Sequence, residues 1–287
     1  MKIDVICTGG TIGSSLSNGY IKNSSENNQK LLSNISNIDF NIIEPYNILS
    51  ENLSAKQINL LVKTIKNSLN SDCDGIIVTH GTDTLQYSAV AVQLLIGNID
   101  KAIVFVSANY PLDDARSNGY ANLQSALDYI KSENKGVVIS YKNTDRKQAD
   151  IFIPTTVLSH NEMLDNIVSV PNDVKFPTYD IELCANPQIL VIDCHPADFY
   201  DYDLSKYRTI LIKPYHSGTL NVENEYFKIF CNNANSRNIP IYVSGCRNND
   251  LYITSSEFSS LGIQVLIDIS FPTAYMKLWI ENSLKNK

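Results

Sequence analysis

The sequence predicts an α/β protein, with a larger N-terminal domain on a mostly parallel sheet and a smaller α/β domain after it. Three observations predict this. Short apolar runs alternate with stretches of helical spacing along most of the 287 residues. The runs are continuously hydrophobic rather than alternating, which is how strands buried on both faces read. Polar, glycine-bearing turns follow several of the runs, as at the ends of strands that feed loops.

Taken in order, residues 3–7 make a first strand before the turn Thr8-Gly9-Gly10. Residues 40–43 make a second strand, and 54–69 have helical spacing at Ile58, Leu61, Ile65 and Leu69. A short strand at 75–78 leads through a polar turn to a helix over 84–95. A strand at 102–106, a helix near 123–131 and a strand at 136–139 follow. The pattern then lapses into prolines and polar residues, so the N-terminal domain is expected over 1–175, a linker over 176–187 and the C-terminal domain over 188–287. There the alternation resumes: strands at 189–192 and 209–212, a helix over 224–234, strands at 240–243 and 264–267, and a final amphipathic helix near 273–284. The Asn/Ser-rich stretch 14–37 is the one biased segment and reads as a mobile surface loop.

Composition narrows the class. With 44% hydrophobic and 18% charged residues the chain reads as globular and long enough to bury a large core. A net charge of −7 predicts neither a nucleic-acid nor an anionic-membrane partner; a small, non-phosphorylated substrate fits better. The first apolar run is too short for a signal-peptide core, and no run of about 18 apolar residues occurs, so a cytoplasmic protein is expected. The six cysteines lack C-x-x-C spacing and mostly sit in apolar contexts, which predicts reduced, buried thiols, and the four scattered histidines predict no metal site.

In open parallel sheets, ligands bind beyond the carboxyl ends of the strands. Three polar clusters fall at such ends: Thr8-Gly9-Gly10-Thr11-Ile12-Gly13, Thr79-His80-Gly81-Thr82-Asp83-Thr84 and Ser107-Ala108-Asn109. The glycines permit tight turns and let backbone N–H groups approach a ligand. Alone, the first cluster reads equally as a tight turn with a helix cap, and Thr82-Asp83-Thr84 as an N-cap cluster. Together, at adjacent strand ends, they point to a site of hydroxyls and a carboxylate. A threonine hydroxyl is a poor nucleophile until a partner takes its proton, and acyl transfer also needs donors where charge builds on the acyl oxygen. Asp83 could bind a substrate α-ammonium or orient a proton relay; as a buried carboxylate it would need a cationic or hydrogen-bonding partner.

The first two clusters resemble the paired signature segments of bacterial-type L-asparaginases, in the family's order and each after a strand. Asn18-Gly19-Tyr20 resembles the loop carrying the family's tyrosine, and Leu49-Ser50-Glu51-Asn52-Leu53 the segment that holds the substrate amino acid. Residues 107–127 look closest to the cytoplasmic, type I branch, and Val243-Ser244-Gly245-Cys246 with residues 268–279 resembles its late strands and last helix. The resemblance implies the two-domain asparaginase-like fold with a smaller flavodoxin-like C-terminal domain. It implies hydrolysis of a small amino-acid amide without metal or organic cofactor, in a homo-oligomer (dimer or tetramer) whose second domain completes a neighbour's site. It makes Thr11 the nucleophile, Tyr20 its loop partner, Thr82 and Asp83 a second threonine–aspartate unit, and Ser50 and Glu51 the grip on the amino-acid end. Gly10, Gly81 and Ser107 join the substrate-binding set.

The family's relay also has a lysine, after the hairpin that follows the strand at 136–139. Counting back from Val170-Pro171-Asn172 reaches Ser159 or His160, whereas counting forward through a shortened hairpin reaches Lys147. A serine there would deprive Thr82 of its usual base, and a histidine could replace it only with a different geometry. Ligand binding could outlast turnover, which leaves open a weakly catalytic amino-acid binder or an enzyme for a different amide.

Overall fold

A computed structural model describes residues 1–17, 20–23, 30–33, 35–159, 165–170, 174–246 and 252–285, with the backbone alone described at 16–17 and 20–23. The chain opens with β1 (Lys2–Cys7), a hairpin of β2 (Ser14–Ser17) and β3 (Tyr20–Asn23), and β4 (Asp39–Ile43). Then come α1 (Ala55–Leu69), β5 (Gly75–Thr79), α2 (Leu85–Ile96), β6 (Ala102–Val106), α3 (Gly119–Lys131), β7 (Gly136–Tyr141) and β8 (Asp150–Phe152). The larger sheet has the order β4-β1-β5-β6-β7-β8, parallel throughout except for β8, which turns back along β7. The hairpin corrects the reading of 14–37 as a loop: Ser14 faces Asn23 and Ser17 faces Tyr20 in an antiparallel pair whose polar residues carry no hydrophobic alternation to announce it.

Register brings the polar clusters side by side. Cys7 pairs with Thr79, and Thr79 with Val106, so Thr8, His80 and Ser107 leave three adjacent strands at one level. β1 lies between β4 and β5, so the chain departs from it in opposite directions and opens a crevice at its carboxyl end. The strands read as continuously apolar because both faces are covered. Ile6, Ile76, Val78 and Phe105 pack on α1 and α2, while Val5, Cys7, Ile77 and Val104 pack on Leu123, Ala126, Leu127 and Ile130 of α3.

The smaller sheet holds β9 (Ile189–Asp193), β10 (Thr209–Lys213), β11 (Ile241–Cys246) and β12 (Ile263–Ile267), all parallel and in sequential order. One face is covered by α4 (Glu225–Ser236) through Phe227, Phe230 and Cys231. The other meets α5 (Phe271–Leu284) through Ala274 and Leu278 against Leu211. The opposite side of α5 sends Met276, Trp279 and Ile280 into the core beneath the larger sheet. The sequence reads this helix as amphipathic; lying between two apolar layers, it is buried on nearly every side. Residues 183–187 are tied down on both sides: Asn59 exchanges two hydrogen bonds with the Leu183 backbone, and Trp279 Nε1 and Asn282 Nδ2 donate to the Cys184 and Pro187 carbonyls.

All six cysteines are free, four of them buried. Among the described residues no helix is long and apolar enough to cross a membrane, and no group of three or more His, Cys, Asp or Glu is placed to hold a metal ion.

Candidate active site

Three chain segments converge beyond β1, β4 and β5, and glycine makes the convergence possible. Gly9 and Gly10 take φ of +98° and +77°, a region costly for residues with a Cβ. A Cβ on Gly10 would strike the backbone of Gly81, and one on Gly81 would strike the Ser50 hydroxyl. The Gly10 N–H donates to the Ile48 carbonyl at 3.0 Å, and the Thr8 N–H and hydroxyl both donate to the Thr79 carbonyl, at 3.2 and 2.7 Å. Backbone contact of this closeness fixes the segments relative to one another before any ligand arrives.

Thr11 begins a 3-10 turn (Thr11–Gly13) directly after Gly10 and is half-buried. β3 lies against this turn, and its register sets Asn23 opposite Ser14 beside the turn and Tyr20 opposite Ser17 at the other end of the hairpin; the Tyr20 side chain is outside the described residues. Facing them, Thr82–Thr84 forms a second 3-10 turn that runs into α2. Thr84 holds the N-cap position, yet its hydroxyl donates to the Ser50 carbonyl at 3.2 Å and not to the helix's first N–H groups. The Leu85 N–H, first of the helix, donates back to the Thr82 carbonyl, so the 3-10 turn itself closes the start of α2. The N-cap reading of the cluster is thus replaced by a cross-segment tie.

Ser50 is buried at 8% exposure and its hydroxyl reaches Asp83 Oδ2 at 3.5 Å, while Glu51 beside it is exposed. Asp83 itself is exposed, which corrects the expectation of a buried carboxylate. It projects to solvent from a one-turn 3-10 segment that packs against the Ser50–Asn52 turn. Ser107 is fully buried: its carbonyl accepts from Asn122 Nδ2 at 2.8 Å, and its hydroxyl has no hydrogen-bond partner among the described residues. It stands behind the crevice, not on its surface.

His80, between the two threonines of its cluster, is buried at 3% exposure, and burial holds its pKa down at about 4. The ring is therefore neutral at neutral pH, and because its partner is a carbonyl, Nδ1 carries the proton and donates to Gly81 O at 2.9 Å. A neutral imidazole braces the glycine turn here.

Two of the three candidates for the family's lysine fall within the described residues. Lys147 lies exposed on the turn between β7 and β8. Ser159 follows Val157, which bridges Ser169, while Leu158 N–H donates to Val168 O and Val170 N–H to Thr156 O, both at 2.8 Å. This pairing ties the chain before Ser159 to the segment ending at Val170. Ser159 stands near the phenol of Tyr87, one turn into α2 from Thr84. His160, Pro171 and Asn172 lie outside the described residues.

Sequence reasoning missed Tyr87 and its surroundings. Burial raises the Tyr87 phenol above its ordinary pKa, against smaller opposing effects of Ser159 and of the Lys213 ammonium, which is paired with Asp193 at 2.8 Å. Tyr87 lines a cavity of about 420 Å³ whose wall also includes Ser50, Glu51 and Thr84. Its spacing from Thr84, three residues along a helix, was the available signal.

A family model described as "Asparaginase, N-terminal" matches residues 2–163. The D subunit of glutamyl-tRNA(Gln) amidotransferase from Methanosphaera stadtmanae is 34% identical over 100 residues, 35% of this chain and 23% of that protein. The protein of the same name from Methanococcus vannielii is 25% identical over 319 aligned residues, 96% of this chain and 73% of that protein. The aligned stretch thus spans under a quarter of the first relative and under three quarters of the second. The thermostable L-asparaginase from Thermococcus kodakarensis superposes with a TM-score of 0.76 at 19% identity, over 99% of this chain and 93% of that one, a likeness of fold.

Proposed function

The chain belongs to the asparaginase family, and from that premise we propose that it is an amidohydrolase cleaving the side-chain amide of asparagine or a related small amide. The observation that carries the reading is the contact of Gly10 with Gly81 and of Gly81 with Ser50, which joins the two threonine turns and the serine–glutamate turn in one crevice. Thr11 is the nucleophile. Its oxygen attacks the amide carbon, backbone N–H groups of the two threonine turns stabilise the oxyanion, and the nitrogen leaves as ammonia with a proton derived from the hydroxyl. Water then cleaves the acyl ester, restoring Thr11 and releasing the carboxylic acid. Tyr20 assists Thr11, Thr82 and Asp83 form the second unit, and Ser50, Glu51 and Asp83 hold the amino-acid end. Ser159 occupies the family's lysine position, which slows the proton steps without emptying the binding site. The resemblance of residues 107–127 to the cytoplasmic branch supports a cytoplasmic homo-oligomer of two or four copies.

The test is ammonia release from purified protein across asparagine, glutamine and their D-forms, with Thr11→Ala as control. Release from asparagine that depends on Thr11 supports the reading; release equal in both proteins excludes it. Tight amino-acid binding without release supports the binder alternative. The alignment to the Methanococcus amidotransferase protein over 96% of this chain favours one further reading, in which the amide is split to feed an amidotransferase partner. Glutamine hydrolysis that rises only when such a partner is added would select it.

A further inference from the structure

The cavity beside the crevice is larger and more apolar than a free amino acid requires. It lies under the turns Ser50–Asn52 and Thr82–Thr84, bounded by the start of α1, the first turn of α2, β9 and α5. Ser50, Glu51 and Thr84 form its polar end, and Leu53, Tyr87, Val191, Phe271, Tyr275 and Trp279 form its body. The aromatic rings brace one another. Tyr87 meets Tyr275 edge-on with centroids 5.9 Å apart, Phe271 stacks on Tyr275 at 6.4 Å, and Tyr275 meets Trp279 edge-on at 5.7 Å. A cavity of about 420 Å³ falls in the range of small-molecule sites, roughly 300–1,000 Å³, which are apolar with a few placed polar groups.

The polar end of this cavity is the pair that, on the proposed function, grips the amino-acid end of the substrate. Atoms attached beyond that end therefore run into the aromatic chamber. Two exposed carboxylates, Glu51 and Asp83, border the grip and favour a free α-ammonium, so the point of extension is the α-carboxyl group. We propose that the site accepts an asparagine or glutamine whose α-carboxyl is amide-linked to an apolar or aromatic group, as in the N-terminal residue of a short peptide with a hydrophobic second residue. The inference rests on the amidohydrolase reading and narrows its substrate class. The chemistry is unchanged: the bond from the Thr11 oxygen to the amide carbon forms as the bond from that carbon to nitrogen breaks and ammonia leaves. Water then hydrolyses the ester, and the peptide bond stays intact beside a new side-chain acid group.

Burial of an isoleucine-sized or phenylalanine-sized group favours the extended substrate by roughly ten- to a hundredfold in kcat/KM. Ammonia release from the full-length protein is measured with free asparagine and with the C-terminally amidated dipeptides Asn-Gly, Asn-Leu and Asn-Phe. The expected result is that Asn-Leu and Asn-Phe exceed Asn-Gly by about tenfold or more. Val191→Trp, placed on a strand residue that is 41% exposed and so free of core packing on its outer side, fills the chamber and should bring that ratio to about one. Equal kcat/KM for the three dipeptides in the native protein, with free asparagine hydrolysed, overturns the inference and leaves the amidohydrolase reading intact. If no amide is hydrolysed, calorimetric affinities decide it separately. Asn-Phe binding about tenfold tighter than Asn-Gly supports the extension, and equal affinities overturn it.

Discussion

The two halves of the crevice are built differently. At the ends of β1 and β5 the backbone does the positioning: positive-φ glycines, close approach of Gly10 to Gly81, and a neutral His80 braced on the Gly81 carbonyl leave the threonine turns little freedom. Across from them, beyond β7, the site rests on side chains, and the residue near the first turn of α2 is Ser159, beside the Tyr87 phenol. Groups held by backbone geometry serve binding and nucleophile placement, whereas a proton relay depends on the identity of one side chain. On the proposed function, the grip on a ligand would outlast a change at the relay, because turnover rests on fewer atoms. Substitutions in one half therefore separate it from the other.

The largest effect belongs to the rigid half. Thr11→Ala removes a hydroxyl and a methyl from a half-buried turn and should lower kcat by about a thousandfold or more, with the thermal midpoint nearly unchanged. Single-turnover trapping of an acylated protein should find the label on Thr11 and none in the variant. Ammonia release undiminished by the substitution would remove the nucleophile from the half where geometry favours it.

Next comes the pH dependence of stability that His80 contributes. Its ordinary pKa is 6.5 and its folded value about 4, so between these values the unfolded chain binds more protons than the folded one. The contribution is complete above pH 6.5, falls as pH drops, and is lost near pH 4. The swing is on the order of 3 kcal/mol, from the shift at about 1.4 kcal/mol per pH unit. Denaturant midpoints measured across this window should fall with acidification in the native protein and change less in His80→Gln. Parallel curves would show that the brace on Gly81 does not set the pH response.

A smaller effect is expected at the exposed Asp83. Asp83→Asn keeps shape and removes charge, so asparagine binding should weaken by roughly tenfold, in line with one solvated charge-assisted hydrogen bond. An amide that lacks the amino group should lose almost nothing. Equal losses for both ligands would assign Asp83 to the relay and blur the division between gripping and proton transfer.

Much of the rigid half is legible in the sequence, because its signals are local. Continuous apolar runs mark β1, β5 and β6 as buried parallel strands, and glycine with threonine after each of the first two marks a turn that a ligand can approach. What the sequence conceals is non-local or masked by composition. The hairpin of β2 and β3 hides in an Asn/Ser-rich stretch with too few apolar residues to show a strand period. The chamber gathers Leu53, Tyr87, Val191 and Tyr275 from four distant parts of the chain, a juxtaposition that only the packing of α5 between two sheets creates. Asp83 reads as buried because it neighbours buried residues, whereas a single 3-10 turn is enough to rotate it to solvent.

The smallest effect, and the one that separates the halves most sharply, is expected at Lys147. Its side chain is exposed on the β7–β8 turn, whereas the backbone pairing of Val157 with Ser169 leads the chain to Ser159 beside Tyr87. Lys147→Met should therefore leave kcat within about twofold and stability within about 1 kcal/mol, the range for an isolated surface charge. Ser159→Lys is the converse experiment. It adds an amine to a half-buried position near the first turn of α2, where partial burial beside Tyr87 should favour the neutral form that accepts a proton. Asparaginase activity should rise in that variant while the affinity for asparagine stays within a few fold. A steady-state comparison of kcat and KM for the native protein and both variants reads the outcome. Loss of activity in Lys147→Met would move the relay onto the hairpin and would mean that the turn folds over the crevice during turnover. Full native activity indifferent to both substitutions would leave the proton with His160 or with the Tyr20 strand, and the side-chain half would then need no lysine at all.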